Sequence, residues 1–347
     1  MENMAPSFDI DPASAAIWMR MPCDWRRPAV RQGHDILWDK ARGFGQVWPR
    51  PTPDEVPGFY AMSDYYTHGE ADPASRRPGP GQRLLTRLSW MADNGTEPDT
   101  DWWAQALGPA PQRVLEIGCG DGSNLMLLAS LGHQVTGVEP DPQARSVARQ
   151  RGLCVHDGTA EALPAALTPR DGTAEGYDAV IFVHVLEHCL DPAAAMRNAV
   201  ALLRPGGKVI AEVPNNDCLG ARHFAPFWFW LDVPRHLNFF TLQSLTDLFG
   251  ASGLSIIDQC WRGYCRQFAP EWQEAHRQIA ESFGRKGDWR VSTASYWLYL
   301  ARSLAARPER RFDSLRMVGG VGSRLSDVSR PAECLAPVNP TGIRAAM

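Results

Sequence analysis

The chain has 347 residues, 44% of them hydrophobic and 21% charged, with 35 basic side chains against 39 acidic ones. Those proportions belong to a folded globular protein rather than a disordered or fibrous one, and a net charge of −4 leaves no basic surplus for a nucleic-acid backbone. No apolar run reaches the length of a membrane span, and the N-terminal MENMAPSFDIDPAS lacks the hydrophobic segment of a secretory signal. Eight scattered cysteines form no C-x-x-C pair, so neither a disulfide framework nor a zinc ribbon is indicated, and a cytoplasmic setting is the expectation.

Tryptophan is unevenly placed. Seven of the 13 lie at or before Trp103 and six at or after Trp228, while Tyr177 and Phe182 are the only aromatics between Ala104 and Cys218. A long middle segment of small and aliphatic residues is therefore flanked by aromatic-rich material. This suggests a tightly packed nucleotide-type core between elements that face something large and apolar.

In chain order, residues 1–100 hold twelve of the 28 prolines and cannot support long helices. They read as an irregular extension with short strands, aromatic anchors and one helix near Gln82 to Ala92. From residue 113 the pattern changes. VLEI (Val114 to Ile117) is a short apolar run closed by glycines, and SNLMLLASLG follows with helical spacing. QVTGVE (Gln134 to Glu139) reads as a second strand and DPQARSVARQRG as a second helix, with Pro142 early and Gly152 at its end. LCVH (Leu153 to His156), YDAVIFV (Tyr177 to Val183) and KVIAEVP (Lys208 to Pro214) read as further strands. TPRDGTAEG (Thr168 to Gly176) is a surface loop, and DPAAAMRNAVALLRPGG is a helix with its stop signal. Nearly all-apolar strands alternating with helices indicate a parallel sheet covered on both faces.

Asn215 to Phe240 is long and broken by prolines, which reads as a lid or binding loop. TLQSLTDLFGASG is then a helix capped by Thr241, and LSIIDQC a sixth strand. Residues 266–310 read as helical, and from about Val318 the chain reads as a tail.

The strongest motif is EIGCGDG, Glu116 to Gly122, between a strand and a helix. Glycines at 118, 120 and 122 permit a tight turn and close approach of backbone to a ligand, and the following helix directs free amides at an anionic group. A dinucleotide fingerprint requires G-x-G-x-x-G, but Ser123 stands at its third glycine and the pattern is G-x-G-x-G. A carboxylate two residues before the first glycine suits an ammonium group and is a poor neighbour for pyrophosphate.

On these residues the chain resembles the class I S-adenosylmethionine-dependent methyltransferases, whose first motif is an acidic residue followed by G-x-G-x-G. Further matches are GTAEALP (Gly158 to Pro164), HVLEH with Asp191-Pro192, and LLRPGG (Leu202 to Gly207). The resemblance implies an α/β, Rossmann-like fold: a mostly parallel seven-stranded sheet with helices on both faces, plus an N-terminal extension and a helical C-terminal region. It implies S-adenosylmethionine as cofactor, with Glu116 near the methionine ammonium and Glu139 accepting the ribose hydroxyls. Thr159 stands where the family more often has an Asp for the adenine amine, beside the Ala160 amide. The implied pocket comprises Tyr66, Glu116, Gly118, Cys119, Gly120, Asn124, Glu139, Pro140, Thr159, Ala160, His184 and Val185.

WPRPTPDEVPGFYAMSDYYTHG and LDVPRHLNFFTLQSLTDLF resemble the flanks of a bacterial subgroup that includes quinone O-methyltransferases and enzymes of sugars and secondary metabolites. Many relatives carry a cysteine-rich zinc ribbon before the PRPTP-like run; only Cys23 stands here, so no structural metal is expected. His184, Glu187 and His188 also spell H-x-x-E-H, an inverted zinc-protease signature. That chemistry needs both histidines on one helical face, whereas this motif begins at the end of a strand, so the expectation is a pocket wall and no metal.

Methyl transfer is an in-line displacement in which the protein aligns the reactants and excludes water. A hydroxyl or protonated amine must also lose a proton, work suited to histidine. His236 is the first candidate base, His188 the second and His223 the third; the alternative for His236 is a structural latch. Tyr66, with Tyr65 and His68, is an N-terminal candidate that would close over the cofactor, the alternative being ordinary packing. Phe227, Trp228, Phe229 and Trp230 cannot all face one core, since neighbours alternate sides. They imply an apolar or aromatic small-molecule acceptor, the alternatives being a homodimer interface or plain packing on the N-terminal extension. WRGYCRQF stands where the family makes its last hairpin, but the strand pattern is weak there.

The organisation expected is an extension at 1–100, a methyltransferase core at 101–262 with a lid at 215–240, a helical region at 263–318 and a flexible tail at 319–347. The expected partner is a small molecule, methylated on oxygen or nitrogen, with no nucleic acid and no membrane span. The competing readings are a cofactor-binding protein of the same fold that performs cyclisation or elimination, and a non-catalytic member of an assembly.

Overall fold

A computed structural model describes residues 8–30, 32–60, 79–93, 100–167 and 176–322. Three short strands open it: β1 (Ala16–Met21), β2 (His34–Asp39) and β3 (Phe44–Trp48), followed by helices α1 (Val56–Tyr60), α2 (Pro80–Trp90) and α3 (Thr100–Leu107). The core then runs β4 (Arg113–Ile117), α4 (Ser123–Ser130), β5 (Gln134–Val138), α5 (Pro142–Gln150), β6 (Val155–His156), β7 (Tyr177–Val183), α6 (Pro192–Ala201) and β8 (Leu203–Pro214). After it come α7 (Leu219–Phe224), β9 (Asn238–Phe239), α8 (Leu242–Ala251) and β10 (Leu254–Arg262). Helices α9 (Pro270–Ser282), α10 (Thr293–Leu304) and α11 (Pro308–Arg311) precede the last strand, β11 (Ser314–Val321).

The large sheet has the order β10-β11-β8-β7-β4-β5-β6. Strands β6, β5, β4, β7 and β8 run parallel, and β11 inserts antiparallel between β8 and β10. The strands are legible because both faces are covered: Val114, Leu115, Ala179, Val180, Ile181, Val209 and Ile210 are wholly buried. Helix starts follow local chemistry. Asp141 and Asp191 accept amides of their first turns with Pro at the next position, and Thr241 forms a capping box with Ser244.

Two expectations require correction. The helical region does not extend to residue 318, and the tail does not begin at 319, because Ser314–Val321 is a buried central strand. The hairpin sought in WRGYCRQF exists, but its two strands are separated by the helical insertion. β11 is held by full-length pairing to both β8 and β10. Gly319 is needed there: a Cβ would stand 2.5 Å from Phe249 Cδ1.

Residues 215–240 form no exposed lid. Residues Leu231 to Phe240 are all buried, and β9 pairs with β3 to complete a four-stranded sheet, β1-β2-β3-β9. The physical reason is an ion network that ties this segment to the extension. Arg235, 1% exposed, bonds Asp24 through Nη1 (2.9 Å) and Nη2 (2.7 Å), and Asp232 through Nε (3.1 Å) and Nη2 (3.0 Å). Arg26 adds a 2.9 Å bond to Asp232. Burial opposes ionisation of both carboxyls, but these charges outweigh it and hold them below the usual range. Replacing Arg235 with Met leaves two buried carboxylates with only the partly exposed Arg26 and Arg27 as ion-pair partners, so unfolding in urea should show a loss of about 3 kcal/mol. A loss below ~1 kcal/mol would show that the network does not hold the segment.

Among the described residues no helix is long and apolar enough to cross a membrane.

Candidate functional site

In an open α/β sheet, ligands bind beyond the carboxyl ends of the strands where the connections diverge to opposite sides. Here that point lies between β4 and β7, neighbours that continue into the glycine turn and into His184.

The turn after β4 has left-handed backbone at Gly118 (φ 72°), Gly120 (φ 54°) and Gly122 (φ 79°), which side chains disfavour. Gly118 has a second reason: a Cβ would lie 2.5 Å from Val185 Cγ2, so the turn after β4 packs against the turn after β7. A Cβ at Gly120 would meet nothing within 4 Å, so that face of the turn is open. Gly118 and Cys119 donate to the Val138 carbonyl, at 2.7 and 3.1 Å, locking the turn onto the end of β5.

Two nearly buried carboxylates border the turn, Glu116 at 2% exposure and Glu139 at 7%. Asn124 Nδ2 donates to Glu116 Oε1 at 2.9 Å, but Oε2 is buried without a partner. Burial raises this carboxyl to about 8, helped by the charge of Glu139 and opposed by the Asn124 bond. Glu139 accepts the Gly120 amide on Oε2 and the Asp141 amide on Oε1, both at 2.8 Å, which leaves one lone pair on each oxygen. Burial raises its pKa as well.

A pocket with an orphaned carboxylate oxygen and a second carboxylate calls for a cation with hydroxyl donors. An ammonium opposite Glu116 and a ribose diol opposite Glu139 satisfy both; a pyrophosphate satisfies neither. The residues present therefore fit S-adenosylmethionine. A pH effect follows with a definite sign. Free Glu116, titrating near 8, is mostly protonated at pH 7, and a bound ammonium favours its ionised form. Cofactor binding at pH 7 should release a proton, seen as a dependence of calorimetric heat on buffer ionisation enthalpy. Glu116→Gln should abolish that release; its persistence would assign the proton elsewhere.

Other expected pocket residues sit around this centre. Cys119 is buried, with Sγ in the space that a Cβ at Gly137 would occupy. Pro140 is exposed, and its carbonyl accepts from Arg145. Thr159 is exposed, and its hydroxyl accepts the Ala162 amide at 3.1 Å; Ala160 next to it is buried. Tyr66, with Tyr65 and His68, lies outside the described residues.

The other half of the site begins at His184, which directly follows β7 with φ 55°, a rare conformation for a residue other than glycine and one that clusters at functional sites. Its Nδ1 lies 3.1 Å from Glu187 Oε1 and its Nε2 3.5 Å from Glu212 Oε1. Burial opposes the charge, but the two carboxylates outweigh it and raise His184 to about 9. It is thus an imidazolium at neutral pH and no base. Glu212 in turn receives Arg316 Nε at 2.7 Å from across the β8–β11 pair.

Leu186–His188 form a short 3-10 turn. Arg235 and His236 are carried over this turn by bonds from Leu237 N to the Glu187 carbonyl (2.7 Å) and from Asn238 Nδ2 to the Cys189 carbonyl (2.6 Å). Arg50 adds bonds to the carbonyls of Leu190 (2.6 Å) and Leu237 (2.8 Å). The His188 and His236 rings consequently meet edge to face, 4.6 Å apart. His236 Nδ1 donates to the Trp230 carbonyl at 2.7 Å; burial, with the neighbouring His188 adding to it, lowers His236 to about 4 and keeps it neutral. The indole of Trp230 stacks on both His184 (4.7 Å, 14°) and His236 (6.0 Å, 19°).

His188 and His236 are therefore brought together, whereas His223 is not. It bonds Ser295 at 2.7 Å and packs on Tyr299 of the helical insertion. Of the FWFW run, Phe227 and Trp228 are core residues, and Trp230 is the one in the site. Sequence reasoning placed Glu187 beside the pocket but missed Glu212, Arg316 and Tyr60, whose hydroxyl lies 2.9 Å from His188 Nδ1. Their only sequence signals were an acid inside an apolar strand and an aromatic after a proline-rich run.

A methyltransferase domain family model matches residues 93–259. A ubiquinone biosynthesis O-methyltransferase from Cereibacter sphaeroides (strain KD131 / KCTC 12085) is 34% identical over 228 residues, covering 60% of this chain and 84% of that protein. One from Xanthomonas oryzae pv. oryzae (strain PXO99A) is 34% identical over 141 residues, covering 38% of this chain and 58% of its own length. Among solved structures, an S-adenosylmethionine-dependent methyltransferase from Archaeoglobus fulgidus is 17% identical, with a TM-score of 0.44 over 70% of this chain and 95% of that one. The chain belongs to the class I S-adenosylmethionine-dependent methyltransferases and resembles the quinone O-methyltransferases among them.

Proposed function

We propose that the protein transfers a methyl group from S-adenosylmethionine to an oxygen of a small aromatic, quinone-like acceptor. The observation that carries this reading is one juxtaposition. Packed turns at neighbouring strand ends present an orphaned carboxylate on one side and, on the other, the edge-to-face imidazoles of His188 and His236, the latter stacked on an indole. The quinone-like acceptor is suggested by the ubiquinone biosynthesis relatives and by the flat ring of Trp230.

Bound S-adenosylmethionine supplies an electrophilic methyl on a sulfonium. Glu116 holds its ammonium, Glu139 its ribose, and Gly118 and Gly120 allow the backbone to pass close beneath. His236, neutral with Nδ1–H committed to a carbonyl, keeps Nε2 as a proton acceptor for the acceptor hydroxyl, with His188 beside it. The imidazolium of His184 favours an oxyanion forming near it. The buried segment at 231–240 excludes water from the reacting atoms.

The test is incubation with S-adenosylmethionine and a panel of ortho-dihydroxy aromatics and aromatic amines, some with apolar tails, followed by mass spectrometry. The expected product is a monomethyl ether of a dihydroxy aromatic. Methylation of the amines alone would overturn the oxygen assignment.

A further inference from the structure

A cavity of about 640 Å³ lies between the small sheet and the opening turn of α8. It shares no lining residue with the site that runs from Glu116 to His236. Trp18 and Trp38 form one wall, and Lys40, Asp217, Arg222 and Gln243 stand around it.

Local sequence builds the aromatic wall. Ile17 pairs with Leu37 and Met19 with Ile36, which leaves Trp18 as the extra residue of a β-bulge in β1. Bulges re-aim a side chain, and here the indole meets that of Trp38 at 4.6 Å and 46°. Trp38 in turn leans over Gly45, its cross-strand partner in β3, where a Cβ would lie 2.7 Å from Trp38 Cε3. A side chain at 45 would displace the ring. Both indoles are half-buried, and their mutual tilt leaves ring faces uncovered.

The polar groups around this wall carry a positive surplus. Lys40 is exposed and has no ion-pair partner among the described residues. Asp39 beside it gives its carboxylate to the Ala41 and Arg42 amides, at 2.9 and 3.1 Å. Asp217 is the one carboxylate among the described lining residues, and two cations share it, Arg222 at 2.8 Å and Arg310. Both bond Oδ1, so Oδ2 keeps its lone pairs for hydroxyl donors. The opening turn of α8, from Thr241 to Gln243, adds the positive end of a helix dipole.

We propose that this cavity binds a mononucleotide, with its base on the indoles, its ribose hydroxyls at Asp217 Oδ2 and its phosphate at Lys40 and Arg222. Stacking on an aromatic side chain tolerates any base, because every base has a π-face. The volume is that of a small-molecule site, and aromatic walls with a few placed polar groups are the usual lining of one. An aromatic acid would leave Asp217 unused, and inorganic phosphate would leave the indoles unused. A nucleoside phosphate engages all three features. The site does not rest on the methyl-transfer reading.

The experiment is calorimetric titration of the full chain with uridine monophosphate, whose pyrimidine distinguishes it from an adenosyl ligand, with and without saturating S-adenosylhomocysteine. One equivalent should bind, with affinity unchanged within about threefold by S-adenosylhomocysteine. Uridine, inorganic phosphate and benzoate should each bind at least about tenfold more weakly. Trp18→Ala and Lys40→Glu should each weaken binding about tenfold or more, with unchanged circular dichroism. Should Trp18→Ala fail to fold, Lys40→Glu at an exposed position carries the test. No binding at about 1 mM uridine monophosphate would overturn the proposal. Full affinity in Lys40→Glu, or displacement of the nucleotide by S-adenosylhomocysteine, would overturn it too. Benzoate or phosphate bound as tightly as the nucleotide would refute the ligand class.

Discussion

Glu139→Ala should lower the affinity for S-adenosylhomocysteine about a hundredfold. The carboxylate keeps one lone pair on each oxygen after binding the Gly120 and Asp141 amides, and a vicinal diol fills both. Two charge-assisted hydrogen bonds, each worth roughly 1.5–3 kcal/mol, set the scale. Because Glu139 also braces the glycine turn, the substitution alone does not isolate the ribose contact. A cofactor analogue lacking both ribose hydroxyls does. It should bind the native chain about as weakly as the variant binds the natural compound, and the variant should not distinguish the two. Equal affinity of the native chain for both compounds would refute the ribose role.

The second large effect is on turnover. His236→Ala should slow methyl transfer by about a hundredfold or more, with cofactor affinity unchanged within about threefold, the expectation for a group that handles the acceptor proton. A structural latch would behave differently. Its loss would unfold or loosen the segment held by Arg235, and turnover per folded molecule would survive. His236→Gln separates the two cases, because its amide can still donate to the Trp230 carbonyl while offering no basic nitrogen. Full activity in His236→Gln would remove this residue from the chemistry.

How much of this was legible in the sequence depends on how local the determinants are. Strands β4, β5, β7 and β8 announce themselves as apolar runs closed by glycine or proline, because burial on both faces permits little else. Glu116 and Glu139 were legible because each sits at a fixed spacing from a turn whose conformation requires glycine. β11 was not, because SLRMVGGV carries two glycines and an arginine. Its pairing with β10 spans the whole insertion at 263–313, and Arg316 is buried only because Glu212 lies opposite. The segment at 215–240 reads as a lid because its prolines and length resemble one. What buries it is the pairing of Arg235 with Asp24, some two hundred residues earlier, which no local pattern records. The meeting of His188 and His236 is of the same kind. It follows from Leu237 and Asn238 pairing with the turn after β7, a tertiary fact.

The aromatic-poor middle of the chain corresponds to the sheet and glycine turn, where backbone must approach a ligand closely. The aromatic flanks correspond to the small sheet, the buried segment and the helical insertion. Phe224, Trp228, Tyr296 and Tyr299 pack together there as a second core. That core supports Trp230 from behind, since Trp272 contacts both Trp228 and Trp230.

The central claim is that the pocket between Glu116 and Glu139 takes an adenosyl cofactor bearing an ammonium group and no dinucleotide. Calorimetric titration of the purified chain with S-adenosylhomocysteine, and in parallel with NAD, tests it most directly. The account predicts one saturable site for S-adenosylhomocysteine, with proton release at pH 7, and no heat of binding for NAD. Saturable binding of NAD with none of S-adenosylhomocysteine would contradict it.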